Sequence, residues 1–464
     1  MTTNSALYRL DGFAGELLHP GEPGYDQARK LFNGMIDRHP AVVARCRDAN
    51  DVALAVGLAR DNGLPLSVYG GGHGVTGLAV CDGGVCVDLR PMKGIAVDPA
   101  SRTVRAEAGL NWGEFDAATQ AHGLGVTGGR HPDTGIAGLT LGSGSGWLER
   151  KFGYVCDNLI KAELVTADGS KVVASETENA DLFWAIRGGG GNFGVVTAFH
   201  LRLHPLGPIV MGGVMFYQGE VAADIARFYR DFMQSAPDEL GGGMVLTVAP
   251  PVDPFPAAIR GKPVVGIIVC YAGAIEEATA VLAPLRAHMT PAIDLVQPMT
   301  YLAVQKLTEG GTPIGVRNYW TTDFYRELPN DAIETLVNHA AQRPSPIGDF
   351  VLVPGGGAPA RVADEATAFG QREAPWNVHY LTMWTDPADD AKNIAFTKNA
   401  AAAMKPWATG RVYLNYIGDE GEERIANSFG PEKMARLMSI KARWDPNNLF
   451  RHNQNIRPAA MAAE

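Results

Sequence analysis

The chain has 464 residues, 46% of them hydrophobic and 19% charged, with a formal net charge of −10. That length exceeds an ordinary single core and predicts two domains, and the apolar fraction predicts a globular fold. The negative balance argues against a nucleic-acid partner, and no run approaches about 20 uninterrupted apolar residues, so no membrane-spanning helix is expected.

The elements follow in chain order. Asn50 reads as the N-cap of a helix carrying Val52, Leu54, Val56 and Leu58, with Gly63 as its stop. Leu66–Tyr69 reads as a short strand running into Gly70-Gly71-Gly72-His73-Gly74. Val85, Val87 and Leu89 alternate with polar or small residues, as a half-buried strand does. Ile95–Val97 and Thr103–Ala106 flank Asp98-Pro99-Ala100-Ser101 as a hairpin, and Trp112–His122 is a helix closed by Gly123. A second glycine cluster spans Gly135–Gly146. Leu164–Thr166 and Lys171–Ala174 form another hairpin, Asn179–Ile186 a short helix, and Arg187–Gly194 a third glycine run leading into a strand from Val195 to Leu203. Composition shifts at His204-Pro205-Leu206-Gly207-Pro208. Beyond it, helices are predicted at Ala223–Phe232, Ile275–His288 and Asp331–Gln342, and strands at Val264–Cys270 and Tyr380–Trp384, the pattern of an α+β unit with an antiparallel sheet. A helix from Pro431 to Trp444 precedes the polar terminal motif Arg451-His452-Asn453-Gln454-Asn455.

The five cysteines, Cys46, Cys81, Cys86, Cys156 and Cys270, show no CxxC spacing and no histidines at zinc-site distance. No metal is expected, and a sparse, odd count fits free thiols in a reducing compartment. Met1–Ala6 lacks a basic segment followed by an apolar run, so no signal peptide is read there. A cytoplasmic enzyme, monomeric or a homodimer, is the expectation.

The most telling residue is His73. Glycine permits close backbone approach and φ > 0, and successive amides in such a turn form a concave anion site suited to a pyrophosphate. Taken alone the loop also fits a glycine-rich hairpin with an incidental histidine. Six motifs occur in a fixed order: the His73 loop, Thr134–Trp147, Asp157-Asn158-Leu159, Arg187–Gly194, Tyr413–Tyr416 and Phe450–Asn455. Together they resemble the berberine-bridge-enzyme-like FAD-linked oxidases of the vanillyl-alcohol-oxidase superfamily, on the bacterial branch that includes 6-hydroxynicotine oxidases and polyketide-pathway flavin oxygenases. The resemblance covers nearly the whole chain and is weakest across 209–400.

The resemblance implies an α+β fold: a PCMH-type FAD-binding domain of two α/β subdomains, with an inserted substrate domain of antiparallel sheet plus helices. The implied boundaries are 1–207 with 408–464 for the flavin domain and 208–407 for the substrate domain. FAD is implied, bonded covalently from His73 to the 8α-methyl carbon, which makes the ring more electron-poor. Implied cofactor contacts are Tyr69, Gly70, Gly71, Gly72, His73, Gly74, Thr134, Gly135, Gly138, Gly142, Gly144, Gly194, Val196, Asn453 and Asn455. The Gly135–Gly146 cluster would form a backbone wall against the flavin, and Tyr413–Tyr416 would be a strand bordering it.

Two positions depart from the family pattern. His131 stands where doubly linked members carry a cysteine, so one covalent link is expected. Val75 replaces a tyrosine common in sugar-oxidising relatives. The catalytic base is not readable: the segment matching the plant members' glutamate, Phe350–Gly355, is apolar, and Glu365 and Glu373 look like surface charge. Tyr413, Tyr416, His379 and His131 are the catalytic candidates.

The implied activity is oxidation of a small alcohol or amine by hydride transfer to flavin N5, with dioxygen as acceptor. The alternative in the same fold is an oxygenase acting on a polyketide-like compound. Thr134 matches the place where oxygen access is controlled. A nicotinamide-dependent Rossmann enzyme is disfavoured, because no G-x-G-x-x-G sits between a first strand and helix. A flavin-binding protein without turnover is a third possibility. The expected substrate is a small or medium, largely uncharged ring compound, since apolar walls with few polar anchors favour flat, poorly hydrated ligands.

Overall fold

A computed structural model describes residues 10–460; Met1–Ala6, read as carrying no targeting signal, lies outside them. Two sheets of four and five strands come from the first half of the chain, besides the short pair Leu124–Gly125 and His204–Pro205. In the first, Val42–Arg45, Val85–Asp88 and Leu66–Tyr69 run parallel, with Glu16–Leu18 antiparallel at one edge. The central strand, Val-Cys-Val-Asp, is buried at every position, as a strand covered on both faces must be. The helix Ala49–Asp61 supplies one cover, and its N-cap is Asp48, not Asn50. Asp48 is extended, and its carboxylate accepts from the amides of Asn50 and Asp51, which places Asn50 inside the first turn.

The second sheet is antiparallel, in the order Ile95–Asp98, Thr103–Glu107, Val195–Arg202, Leu159–Val165, Lys171–Ser175. One apolar core joins both sheets and includes Val87, Trp112, Phe115, Phe193 and Phe199. The far end of the chain returns to it. Ile425 and Phe429 from the helix Glu422–Phe429, Leu437 and Ile440 from Pro431–Trp444, and then Phe450 and Ile456 are buried in the same core.

The third sheet is larger. Its strands run Ile293–Asp294, Ile209–Gln218, Pro263–Tyr271, Leu240–Val248, Phe350–Pro354, Trp376–Trp384, Arg317–Tyr325, all antiparallel, with Gln297–Thr300 also on Ile209–Gln218. Strand alternation gives it two faces. Met244, Leu246, Ile267, Leu352, Val378 and Tyr380 pack under the helices Ala222–Met233, Ile275–His288, Asn330–Ala341 and Asp390–Met404. The alternate residues Val245, Ile268, Val351, Val353, His379 and Leu381 turn the other way and face a cavity.

Two local expectations change. The Gly135–Gly146 cluster is not only a loop wall: Ile136–Leu141 is a short helix. Tyr413–Tyr416 is not a strand, because Leu414–Tyr416 is a single tight 3-10 turn. Asn415 holds that turn, donating to Leu139 O at 3.2 Å and to the Tyr413 phenol oxygen at 3.0 Å. These bonds replace a strand ladder. The strand ending at Trp384 begins at Trp376 rather than Tyr380.

Candidate active site

Between the cavity face of the large sheet and the glycine-rich loops of the first two lies a cavity of about 390 Å³. Its floor is mostly backbone: Gly70–Gly74, Gly135, Gly138, Gly142, Gly189–Gly191 and Gly194 line it. The first two loops lie against each other. A Cβ added at Gly71 would stand 2.3 Å from Gly135 N, and one at Gly135 would stand 2.5 Å from Gly71 N. Glycine is therefore required for this approach. By contrast, Cβ atoms at Gly74, Gly138 and Gly191 would meet nothing within 4 Å, so the floor opens onto free space there.

His73 stands on this floor. Its ring stacks on Phe32 at 4.1 Å between centroids, and the His131 ring lies 5.3 Å away. Part of the ring faces the cavity, yet Nε2 is enclosed and has no hydrogen-bond partner. Burial, reinforced by His131, pulls its pKa down to about 3, so the imidazole is neutral and Nε2 is a buried polar atom left unclaimed. Burial also lowers His131, whose Nδ1 accepts from Asp133 N at 3.4 Å.

A second polar group surrounds Arg130. Its guanidinium donates to the Tyr416 phenol oxygen and to Ser145 Oγ, both at 2.8 Å, and to Glu149 Oε1 at 3.2 Å. Glu149 in turn accepts from Ser145 Oγ and, at 2.9 Å, from Gly146 N. The Tyr416 ring lies flat on His379 at 3.9 Å and 2°. His379 Nε2 is buried without a partner, and burial followed by the Arg130 charge holds its pKa well below the ordinary imidazole range. Tyr413 meets Tyr416 edge-on at 4.6 Å, accepts from Ser145 N at 2.9 Å, and has its phenol pKa raised by burial.

Of the residues singled out in the sequence, Gly70, Gly71, Gly72, His73, Gly74, His131, Thr134, Gly135, Gly138, Gly142, Gly194, Val196, His379, Tyr416 and Asn453 line this one cavity. Four lie outside the lining. Tyr69 sits beneath the loop: its phenol donates to Lys30 O at 2.6 Å and Arg90 covers its ring at 3.8 Å. Gly144 packs on Val155. Tyr413 lines a smaller adjoining pocket with Ser145 and Glu149. Asn455 points a partnerless Oδ1 into protein. Glu365 and Glu373 are exposed, as expected. Sequence reasoning missed Arg130, Asp349, Trp320 and His452, all in the lining. Arg130 adjoins His131 and Asp349 opens the apolar run Phe350–Gly355, so proximity to suspected motifs was the available signal.

The sequence matches the family described as "FAD binding domain" over residues 40–175 and "Berberine and berberine like" over residues 412–457. It is 32% identical over 458 residues to (R)-6-hydroxynicotine oxidase of Paenarthrobacter nicotinovorans, covering 96% of this chain and 97% of that one. The chain belongs to the berberine-bridge-enzyme-like FAD-linked oxidoreductases. An FAD-linked oxidoreductase of Dictyostelium discoideum is 27% identical, covering 97% of this chain and 96% of that one. Among solved structures, 6-hydroxy-D-nicotine oxidase from Arthrobacter nicotinovorans superposes with a TM-score of 0.86 at 29% identity, covering 98% of this chain and 99% of that one. Physcomitrella patens BBE-like 1, at 22% identity with complete coverage of both chains, shares the fold with a TM-score of 0.87.

This oxidoreductase uses FAD, and its residues fit that group. A floor of glycine backbone open at Gly74, Gly138 and Gly191 accepts a flat ring and a diphosphate, and His73 Nε2 lacks any protein partner. No helix among the described residues is long and apolar enough to cross a membrane.

Proposed function

We propose that this protein is an FAD-linked oxidase that carries its flavin on His73 and oxidises a small alcohol or amine, with dioxygen as electron acceptor. The observation that carries the reading is the His73 imidazole, neutral, pinned by Phe32 and without a protein partner at Nε2 on the open glycine floor. Bound there, FAD supplies a two-electron acceptor that dioxygen regenerates. A single histidyl link follows from His131 in place of a second attachment cysteine.

The chain's own groups divide the remaining work. Tyr416 holds and moves the substrate proton: Arg130 fills one acceptor site of its oxygen, and His379 fixes its ring plane. His379 and His131, both held neutral by burial, offer uncharged polar contacts. The sheet face of Val245, Ile268, Val351, Val353, Leu381 and Trp320 excludes water and favours a flat ring compound. We read the cofactor half as 1–207 with 408–464 and the substrate half as 208–407; the shared core of Phe193 with Leu437 and Phe450 supports this division.

Acid denaturation tests the reading. Yellow colour that stays with the precipitate, bleaching with dithionite beforehand, and peroxide release with cyclic amines or secondary alcohols are expected. Flavin that washes out in acid removes the covalent link, and fast turnover of oligosaccharides alone removes the substrate class.

A further inference from the structure

The cavity wall holds one carboxyl group, Asp349, with no cation at ion-pair distance among the described residues. Asp349 lies just before the strand Phe350–Pro354 and on the same side as Val351 and Val353, and all three line the cavity. Its backbone is fixed, since Leu381 N donates to Asp349 O at 2.8 Å. Its row across the sheet therefore contains Leu381 and, opposite that residue, Trp320; the next row contains Val351, His379 and Thr322.

The surrounding charges are all accounted for. Arg343 is the nearby cation, but its guanidinium donates to the backbone oxygens of Ala340, Gly348 and Leu246 at 2.9, 2.5 and 2.6 Å. Among the described residues no Lys, Arg or His nitrogen stands within the 4.0 Å ion-pair distance of the Asp349 carboxylate. Arg130 is answered by Glu149, and burial keeps His73, His131 and His379 in the neutral form. A half-buried carboxylate in a cavity wall, without a cation at ion-pair distance, is a recognised mark of a functional position.

We propose that Asp349 is a ligand-recognition residue, pairing with one cationic nitrogen of an otherwise apolar ring compound in this cavity. The inference rests on the oxidase reading of the site and adds a positive charge to the uncharged ring expected from the sequence. Burial raises the Asp349 carboxyl above the ordinary range, against the Thr247 hydroxyl and the Arg343 charge, which both favour its ionised form. A bound ammonium acts in the same direction as those two and restores the carboxylate.

Calorimetric titration of the protein, as purified, with benzylamine, benzyl alcohol and benzoate tests this. Benzylamine is expected to bind at least about tenfold more tightly than benzyl alcohol at neutral pH, with benzoate weakest. Asp349→Asn should remove that preference by weakening benzylamine binding relative to benzyl alcohol. In the unmodified protein the preference should shrink as pH falls and the carboxyl takes a proton, a readout that needs no variant. Equal affinity for amine and alcohol, no binding of benzylamine, or a preference that survives Asp349→Asn overturns the proposal. The visible spectrum of the same sample separates the two ideas. Colourless protein refutes the flavin reading, whereas yellow protein without a cation preference refutes only the role of Asp349.

Discussion

Arg130 and Tyr416, 286 residues apart in the chain, meet at 2.8 Å, guanidinium to phenol oxygen. One contributes the loop before the second glycine cluster, the other the turn at the start of the C-terminal motif. The contact joins the glycine floor to the His379 strand, because Tyr416 lies flat on that imidazole. Replacing Arg130 by Met leaves Glu149 without its counter-charge. Breaking a buried pair costs about 3 kcal/mol or more, and turnover should fall at least about tenfold as the phenol loses its orientation. Arg130→Lys keeps the charge but not the forked geometry and should lie between. Denaturant unfolding and peroxide-release rates read both effects; unchanged turnover in Arg130→Met would remove Arg130 from the proton path.

Gly71→Ala should damage cofactor loading more than the fold. Its Cβ would press on the backbone of Gly135, which has no rotamer to yield. Overpacking of this kind costs about 1–3 kcal/mol. Separation of the two loops would reshape the floor. The ratio of visible to ultraviolet absorbance of the purified protein is expected to drop sharply, with near-native circular dichroism. Gly138→Ala is the control: its Cβ meets no protein atom, so the fold should be unaffected.

Much of this architecture was legible in the sequence, for physical reasons that also mark where legibility ended. Ile275–His288 and Pro431–Trp444 begin and end where the pattern placed them, since periodicity and flanking breakers agree there. The His73 loop was legible because a cradle against backbone demands glycine. Asp48 was missed as a cap because Asn50 is an equally good capping residue and only the backbone angles choose. The turn at Tyr413–Tyr416 depends on Asn415 reaching Leu139, a contact across 276 residues that no local pattern encodes. Arg130 and Asp349 were missed for the same reason: a charged side chain in a loop reads as surface until the fold closes over it.

Stability should depend on pH through Asp116. It is fully buried, accepts from Gln305 Nε2 at 2.6 Å, and leaves Oδ1 without a partner. Burial, opposed by the Gln305 bond, raises its pKa from 3.8 to about 7. A raised folded-state value means full stability below the unfolded pKa and progressive loss as pH rises through the folded one. The stability of the unmodified protein relative to Asp116→Asn should therefore fall by a few kcal/mol between about pH 4 and pH 7. Asparagine can also donate to Gln305 Oε1, which has no partner now. Urea midpoints of both proteins across that window check this; parallel curves would show that Asp116 is ionised throughout.

His73→Ala should yield a folded protein whose FAD dissociates in acid. The glycine floor and the C-terminal segment remain, while the attachment atom and its stack on Phe32 are lost. Mass analysis of the proteolysed native protein should find one flavinylated peptide, containing His73. A second peptide containing His131 would contradict the single link.

The C-terminal lining depends on a buried ion pair. Lys441 and Asp445 are both fully buried and meet at 2.7 Å. Lys441 Nζ also donates to Asn192 O at 2.6 Å and Phe450 O at 2.9 Å, while Asp445 accepts from the amides of Leu449 and Phe450, both at 2.8 Å. One cation thus ties the third glycine run to the segment that brings His452 and Asn453 to the cavity. Burial lowers the Lys441 pKa, and Asp445 opposes that shift. Lys441→Met should leave Asp445 buried and unpaired at a cost of about 3–5 kcal/mol. It should also release the terminal segment, so proteolysis near residue 450 and loss of flavin should precede global unfolding on heating. The double variant Lys441→Met with Asp445→Leu removes both charges and should recover part of the stability but not the flavin retention, because the carbonyl of Phe450 and the amides of Leu449 and Phe450 would still lack their partners. Recovery of both would mean that the pair holds the helix alone and has no part in shaping the cofactor site.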